Sequence, residues 1–268
     1  MTNTADIRVP VDLSNPGQFF ACCGLLELAT RMWRSSEIRA RFEPCQFLLD
    51  AGEPSRPLAQ LLSEFAKCRC DQLDPKDNSA SPLRLSAPFD LRLDWWCAPD
   101  SLGGGNALKT WAGRQSGPLI FSLMRGATAR AASAKSPLDC CEAVYDVKDG
   151  KARDKTISPF YFDSRRSGTS QDFGFAPDEQ EMSVDAFPAV ESLALIGLQR
   201  FRPRLDRETR PRTFVYSAWA EFLSAPVAAA TVGGAVRVRS QGDFRFRRPS
   251  RGGEYVTMFS RATREKEQ

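Results

Sequence analysis

Arginine is the residue type that best equips this chain to bind a charged ligand. Eight of its 37 basic residues are lysine, so the other 29 are arginine. A guanidinium group is planar and permanently charged, binds phosphate through two parallel hydrogen bonds and stacks on flat rings. The excess favours contact with nucleic acid. A GC-rich genome would also raise the arginine content everywhere, so the positions of the arginines must decide between the two explanations.

The basic residues are concentrated toward the C-terminal end of the chain. From Gly197 onward the sequence holds 15 Lys or Arg and 7 Asp or Glu, whereas the preceding residues hold 22 basic and 26 acidic side chains. The formal charge of +4 therefore combines a basic C-terminal quarter with a weakly acidic remainder. Such an asymmetry is typical of a face that binds a polyanion.

The clearest pattern in the basic quarter is an alternation of arginine with valine or phenylalanine. Residues 236–239 read Val-Arg-Val-Arg and residues 244–247 read Phe-Arg-Phe-Arg, with Ser-Gln-Gly-Asp between them. This spacing predicts a β-hairpin that buries the apolar residues on one face. The other face would be a cationic ribbon of four guanidinium groups, those of Arg237, Arg239, Arg245 and Arg247. The alternative is a solvated outer face with scattered counter-ions.

A second basic run lies before this hairpin. It contains Arg200, Arg202 and Arg204, followed by Arg207, Arg210 and Arg212. Arg200 falls in the last turn of a predicted helix, where a cation complements the helix dipole. The helix dipole explains Arg200 alone and not the other five arginines, so we expect the run to contact the phosphates of a nucleic-acid backbone.

A third candidate is the segment 103–115, in which three glycines precede a predicted helix. The spacing does not match a nucleotide-binding phosphate loop, which needs glycine directly before the lysine. A milder role remains, in which backbone amides and Lys109 hold one phosphate at a helix N-terminus. Arg114 would add a second cation, and Gln115 offers an amide that can contact a base edge. Trp111 is expected to be a core anchor, with Lys109 and Arg114 facing away from it.

The composition argues against most catalytic and metal-binding functions. The chain has no histidine, which is the commonest general base and metal ligand. Its eight cysteines contain no Cys-x-x-Cys pair, so we expect neither a metal site nor a cofactor. Acidic residues in the polar segment 163–185 could bind Mg²⁺ for phosphodiester cleavage, but no spacing singles them out. This segment, expected to be a long loop, also contains Arg165 and Arg166.

The elements that would hold these residues begin in a β-α-β-β-α order. Residues 7–13 alternate like a strand, and Asn15 with the proline after it predicts the start of a long helix. Cys22 and Cys23 fall on the apolar face of this helix and are expected to be core residues. Strands at 38–42 and 45–49, a helix at 57–67 and a strand at 89–95 follow. A ferredoxin-like unit in residues 1–100 is one arrangement that fits this order.

Residues 101–268 are expected to form a second region of helices and antiparallel strands, so the fold class is α+β. Helices are predicted at 106–114, 119–132 and 189–201 and after Pro226, and strands at 144–147, 159–163 and 213–219. The first residues lack the features of a secretory signal, and the longest apolar stretch, 222–236, is too short for a membrane span. We therefore expect a cytoplasmic protein with reduced thiols.

Four stretches of the sequence resemble one known family. They are residues 12–29 (DLSNPGQFFACCGLLELA), 108–115 (LKTWAGRQ), 162–168 (FDSRRSG) and 189–203 (AVESLALIGLQRFRP). In these four stretches the chain is similar to the Csb-type subunit of type I-U CRISPR systems, a compact counterpart of the large subunit of Cascade. Cascade is the RNA-guided surveillance complex that finds foreign DNA and hands it to a separate helicase-nuclease.

The resemblance implies a non-catalytic nucleoprotein subunit that works without a membrane or a cofactor. Its partners would be guide RNA, target DNA, the other Cascade subunits and the recruited helicase-nuclease. In such complexes guide pairing reads the sequence, while protein reads a short flanking duplex motif and holds backbones. We expect nucleic-acid contacts from Lys109, Arg114, Gln115, Arg165 and Arg166, and phosphate contacts from the hairpin and the run at 200–212. Two alternatives stay open, a subunit that binds only the 5′ end of the guide and a CRISPR-associated nuclease.

Overall fold

The computed structural model of the protein describes residues 7–53, 56–77, 79–97, 105–111, 115–148, 151–166, 185–206, 212–248 and 257–265. These residues form six α-helices: α1 (Pro16–Trp33), α2 (Leu58–Lys67), α3 (Gly105–Leu108), α4 (Gly117–Ala131), α5 (Pro188–Arg200) and α6 (Ala225–Val232). Across the described residues, no helix has the length and apolar character that a membrane crossing requires.

The strands are all short and pair antiparallel. They are β1 (Ile7–Pro10), β2 (Arg39–Glu43), β3 (Gln46–Asp50), β4 (Cys70–Gln72), β5 (Leu83–Leu85), β6 (Leu91–Leu93), β7 (Glu142–Ala143), β8 (Tyr145–Lys148), β9 (Lys151–Thr156), β10 (Asp185–Ala186), β11 (Arg204–Asp206), β12 (Thr213–Trp219), β13 (Ser240–Arg247) and β14 (Thr263–Arg264). Five sheets result, ordered β1-β3-β2, β4-β5-β6, β11-β12-β13-β14, β10-β7 and β8-β9. The predicted α+β class is confirmed.

The first three strands and α1 follow the predicted β-α-β-β order. β3 lies between β1 and β2, and Phe42 of β2 stacks on Phe19 of α1 with 4.9 Å between ring centroids. The strand expected at 89–95 is the shorter β6, which pairs with β5 in a separate sheet. Leu91 and Leu93 of β6 face leucines of β5, and this apolar cross-strand pairing stabilises the separate sheet. Among the described residues, the first sheet therefore has three named strands where a ferredoxin-like unit has four.

Helix α1 begins where the sequence predicts. The side chain of Asn15 accepts hydrogen bonds from the backbone N–H groups of Gly17 and Gln18, and a proline occupies the first turn. The residues from Pro16 to Ala29 are all buried, including both cysteines, as predicted. A helix that is buried on every side is a central element of the core instead of an amphipathic surface helix.

Helices α1 and α5 cross at two glycines. A Cβ atom added to Gly24 of α1 would lie 2.1 Å from the carbonyl oxygen of Leu193, and one added to Gly197 of α5 would lie 2.0 Å from that of Phe20. Both distances are far below any van der Waals contact, so only hydrogen fits between the two backbones. Glycine is required at these positions because the two helices approach so closely. The backbone conformation at Gly24 and Gly197 is not the reason.

One hydrophobic core extends from the first strand to the C-terminal segment and includes residues of both predicted regions, 1–100 and 101–268. Part of it is a cluster of Trp95, Trp96 and Trp111, whose rings pack edge to face with centroids 5.6 to 5.9 Å apart. Each indole N–H donates a hydrogen bond to a backbone carbonyl. Trp111 is 5 % exposed, so the prediction that it anchors the core is confirmed.

The predicted C-terminal hairpin is wrong in its pairing. Residues 244–247 lie in β13, but its neighbours are β12 on one side and β14 on the other. Residues 236–239 form no named strand and belong to the connection between α6 and β13. The turn expected at 240–243 is a bulge within β13, where Gly242 has a φ of +126° and the register with β12 shifts.

Aromatic packing explains why β13 pairs with β12. Phe244 stacks on Tyr216 at 5.6 Å between ring centroids, and Phe246 stacks on Phe214 at 5.5 Å. These rings form the inner face of the sheet, and all four are buried. The alternation correctly predicts that the phenylalanines of residues 244–247 are core residues. In the predicted two-stranded hairpin, only the valines of residues 236–239 would have packed beside these phenylalanines.

Three other predicted features differ from the structure. The helix expected at 106–114 is a single turn, α3, and residues 112–114 lie outside the described residues. Residues 159–163 form no strand, although their phenylalanines are buried. Gly117 and the proline after it begin α4, capped by the preceding serine, where we expected them to break a helix.

Replacing Gly197 with alanine tests the helix crossing. We expect Gly197→Ala to lower the free energy of unfolding by about 3 kcal/mol, because α5 must move away from α1 to admit the methyl group. Gly126→Ala is the matched control, since Gly126 also lies within a helix and has nothing within 4 Å of an added Cβ. This control should raise stability by up to about 1 kcal/mol through helix propensity. Urea unfolding of both variants measures the difference, and equal stabilities would contradict the close crossing.

Candidate nucleic-acid interface

The outer face of the C-terminal sheet carries a network of ion pairs. Arg245 of β13 lies 3.2 Å from Asp206 and 2.5 Å from Glu265. Arg204 of β11 lies 3.2 Å from Asp243 and 3.9 Å from Glu265. Two of the arginines expected to face a polyanion are thus neutralised by three carboxylates of the same chain. Arg247, the last residue of β13, is exposed.

Arg237 and Arg239 lie in residues 233–239, which connect α6 to β13 and which we call the strap. Both arginines are exposed, and neither forms an ion pair with any residue that the structure describes. The sequence from 222 to 242 contains no Asp or Glu. A guanidinium group with no carboxylate beside it keeps its full attraction for an external anion. The strap therefore presents two arginines that form no ion pair with a described residue.

The strap lies beside the second basic run. A Cβ atom added to Gly233 would be 3.4 Å from the carbonyl oxygen of Arg202, and one added to Gly234 would be 3.5 Å from the Arg204 guanidinium. Arg202 is half-buried and Arg204 is exposed. The structure thus brings Arg202 and Arg204 next to the strap, although they are distant from it in sequence. Residues 207–211, with two of the predicted arginines, lie outside the described residues.

Arg200 occupies a structural position. Its Nε lies 2.7 Å from a carboxylate oxygen of Glu27, and Arg31 lies 2.6 Å from the other oxygen. Glu27 is 1 % exposed and stands in the middle of α1. Two guanidinium groups neutralise this buried carboxylate, because an unpaired charge in the core would be strongly destabilising. The Arg200 guanidinium is therefore already engaged within the molecule.

Arg165 is also engaged within the molecule. Its guanidinium group lies 2.7 Å from Asp163 and 2.7 Å from Asp139, and it stacks on the ring of Phe187 at 3.5 Å. Asp163 is fully buried and accepts a hydrogen bond of 2.8 Å from the side-chain amide of Asn15. The start of the predicted loop is thereby fixed to the N-terminus of α1. The neighbouring arginine at position 166 ends a short 3₁₀ turn, and residues 167–184 lie outside the described residues.

Glu191 of α5 is the second buried carboxylate at this end of the molecule. It is 1 % exposed and accepts backbone hydrogen bonds from Phe162 at 3.2 Å and Asp163 at 3.1 Å. The pKa of Glu191 is raised from 4.5 to about 8, chiefly by burial and also by the Asp163 carboxylate, against the backbone hydrogen bonds, which lower it. Glu191 thus holds the segment before Arg165 in place.

Lys109 faces Trp111, contrary to the prediction that it would point away. Its Nζ lies 5.2 Å from the centroid of the Trp111 ring and 3.3 Å from the hydroxyl of Ser79. The prediction assumed a helix through this segment, but α3 ends one residue before Lys109. Burial lowers the pKa of Lys109, with Asp77 acting in the opposite direction. Gln115 is half-buried, and the predicted cation at position 114 lies outside the described residues.

Two further arginines have structural roles that the sequence analysis missed. Arg125 of α4 is buried and donates hydrogen bonds to the carbonyl groups of Phe65 and Ala66, at 2.9 and 2.8 Å, at the C-terminal end of α2. Arg248 is also buried and donates to the carbonyl oxygen of Lys109. Arg125 falls on the apolar face of its helix, and that position was the available signal. The position of Arg248 after β13 offers no such signal.

The described residues contain no group of three or more Cys, Asp or Glu placed to hold a metal ion, and the sequence has no histidine. No protein-family model, no curated protein and no solved structure matches the chain. The predicted site residues thus separate by their surroundings. Arg165, Arg200, Arg204 and Arg245 are paired within the molecule, whereas Arg237 and Arg239 on the strap are exposed and form no ion pair with a described residue.

The titration of Glu191 predicts a pH-dependent stability. Folded Glu191 keeps its proton up to its pKa of about 8, whereas the unfolded chain loses it near 4.5. The folded state therefore binds more protons between these values, and rising pH favours unfolding there, by at most about 1.4 kcal/mol per pH unit. We expect the stability of the native protein to fall from pH 5 to pH 8 relative to Glu191→Gln. Urea titrations at several pH values test this, and parallel profiles would contradict it.

The two kinds of arginine predict effects on stability of different size. Arg200→Gln should lower the free energy of unfolding by about 2 kcal/mol. The loss is smaller than for a fully broken buried ion pair because Arg31 still contacts Glu27. Arg237→Gln, on the exposed strap, should change stability by less than about 0.5 kcal/mol. Thermal and urea unfolding provide the comparison, and a destabilising Arg237→Gln would mean that the strap arginine supports the fold.

Proposed function

We propose that this protein is a non-catalytic subunit of a type I CRISPR RNA-guided surveillance (Cascade) complex, comparable to its large subunit, that contacts guide RNA and target DNA. The observation that carries the proposal is the strap, whose two arginines are exposed and form no ion pair with a described residue, and whose Gly233 lies next to the backbone of Arg202. The resemblance of four sequence stretches to the Csb-type subunit supports the same conclusion. The cellular location that fits this role is the cytoplasm.

The chemistry of the strap suits a phosphate backbone. Guanidinium groups that are exposed and unpaired can neutralise phosphates and release condensed counter-ions, which gives affinity without sequence preference. Such contacts would hold guide RNA or target DNA in register, while pairing with the guide supplies the sequence specificity. The remaining partners in the proposal are the other Cascade subunits and the recruited helicase-nuclease.

Recognition of the short duplex flanking the target is assigned in this proposal to the segment around Lys109 and Gln115. A half-buried amide such as Gln115 has both a donor and an acceptor for a base edge. The ammonium group of Lys109 is held over Trp111 and beside Ser79, and it would contact phosphate from that fixed position. Arg165 is bound to Asp163 and contributes by fixing the chain at Arg166.

The experiment removes three cations, Arg237 and Arg239 of the strap and Arg202 of the second basic run. We call these three residues the strap surface. We expect the triple variant Arg202→Gln, Arg237→Gln and Arg239→Gln to weaken nucleic-acid binding by the assembled complex. It should also flatten the dependence of log K on log salt by about 0.7 to 0.9 for each lost phosphate contact. The matched control replaces Arg84 of β5, Arg92 of β6 and Arg69, the residue before β4, with Gln. These strands form a sheet of their own, separate from the sheet into which the strap leads, so this control should bind as the native complex does.

Crosslinking in the assembled complex identifies the strands that are contacted. Crosslinks from the strap surface to guide RNA and to target DNA would support the proposal. Contact with the 5′ end of the guide alone would instead favour a guide-binding subunit without DNA contact. Cleavage of RNA or DNA by the purified protein, with or without Mg²⁺, would favour a nuclease. Unchanged binding by the strap variant, or an affinity that does not depend on salt, would contradict the role of the strap.

A further inference from the structure

The outer face of the first sheet carries a row of side chains that crosses four chain segments. Arg8 of β1 pairs in register with Leu48 of β3, and Leu48 pairs with Arg41 of β2. An isolated antiparallel bridge then joins Ala40 of β2 to Leu223. In this register Phe222 lies opposite Arg41, and the Arg41 guanidinium stacks on the Phe222 ring with 4.8 Å to its centroid.

The residues of this row are arranged for contact with a ligand. Leu48 is 3 % exposed although it lies on the outer face, and Arg8 and Arg41 are its cross-strand neighbours on either side. Adjacent strands are about 4.8 Å apart, so the backbones at Arg8 and Arg41 are separated by about 10 Å. Arg39, two residues from Arg41 on the same face, adds a third exposed cation.

This row is continuous with the strap. The side-chain amide of Gln241 donates to the carbonyl oxygen of Phe42 at 3.1 Å, which joins the start of β13 to β2. The backbone N–H of Ala220 donates to the carbonyl oxygen of Arg239 at 2.8 Å, so Phe222 lies two residues from a contact of the strap. The arginines of the first sheet and those of the strap therefore lie on neighbouring parts of one surface.

We propose that Arg8, Arg39, Arg41 and Phe222 form a track for single-stranded nucleic acid that extends the strap surface onto the first sheet. The inference rests on the proposed function, because it names the form of nucleic acid that the same surface would take. The same face carries three arginines and two carboxylates, Glu43 and Asp50, so its net charge is positive and favours a polyanion. The Phe222 ring, half-buried and already stacked by a guanidinium group, offers a platform for an unpaired base.

A single strand fits this surface better than a duplex does. The row lies on the flat face of a sheet and has no helix or hairpin that projects into a groove, whereas unpaired bases can stack on an aromatic side chain beside backbone contacts. Arg41 is paired with Glu43 at 2.8 Å, but both side chains are more than a third exposed, and such a surface pair is weak enough to exchange for phosphate. The track therefore needs no rearrangement of the sheet.

The test uses the purified protein and a fluorescent single-stranded RNA of about 20 nucleotides, with anisotropy measured over a range of salt concentrations. We expect the triple variant Arg8→Gln, Arg39→Gln and Arg41→Gln to weaken binding about tenfold or more. Its slope of log K against log salt should fall by about 2, which corresponds to three lost contacts. The control is the Arg69, Arg84 and Arg92 variant defined above, which removes the same charge from another sheet and should bind within about twofold of the native protein.

Two more variants separate contact from folding. The same three positions changed to Lys keep the charge and the aliphatic stems and should retain most of the binding. Phe222→Leu keeps an apolar side chain and should weaken binding about fivefold or more without changing the salt slope, because stacking releases no counter-ions. Guide RNA and displaced DNA share this chemistry, so titrations with DNA of the same sequence show which strand the track takes. Binding of either one supports the inference.

The outcomes distinguish this inference from the function on which it rests. If the strap variant loses binding while the first-sheet variant behaves like the control, the track is wrong and the proposed function stands. Equal losses in the first-sheet and control variants would mean that net charge alone sets the affinity, which also overturns the track. If native protein binds neither RNA nor DNA in a salt-dependent way, the proposed function itself fails.

Discussion

The contact between α1 and α5 is the constraint on which the other features of this structure depend. Because Gly24 and Gly197 let the two backbones touch, both helices are buried along most of their length, and their polar side chains must find partners inside the protein. At one end of the crossing Asn15 and Glu191 fix the buried segment around Asp163. At the other end Glu27 is neutralised from α5 and from its own helix. The close packing at these two glycines therefore determines which charged side chains must be paired inside the protein.

This packing divides the arginines into two groups with different physical roles. One group works inside the molecule, where a guanidinium group neutralises a buried carboxylate or satisfies backbone carbonyls at a helix end, as Arg125 does for α2. The other group is exposed on the strap and on the outer face of the first sheet. The high arginine content therefore does not measure the size of a nucleic-acid surface. Only arginines that are not engaged by a buried carboxylate or by backbone carbonyl groups can contribute to such a surface.

Local patterns predicted the parts of the fold that local physics decides. The cap at Asn15, the burial of Trp111 and the inward phenylalanines of β13 follow from short-range spacing and are all confirmed. The hairpin was wrong because Ser-Gln-Gly-Asp fits a turn and a bulge equally well, and the choice depends on β12, a strand distant in sequence. The ion pairs of Arg200 and Arg245 depend on tertiary register in the same way. The arginines of the first sheet were missed because short alternating strands place polar residues on an outer face whether or not these have a function.

The tryptophan cluster gives the protein a spectroscopic signature of its own. Three indole rings, at 95, 96 and 111, lie within 5.6 to 5.9 Å of one another at steep angles. Transition dipoles at such separations couple, so the far-ultraviolet circular dichroism of the native state, where the strong indole transition lies, should carry a paired band that isolated tryptophans do not give. Their N–H groups are held by the carbonyl groups of Leu195, Ala80 and Ser79, so the band reports whether α5 and the loop before β5 are seated together. An optical measurement without any label can therefore follow the packing of the core.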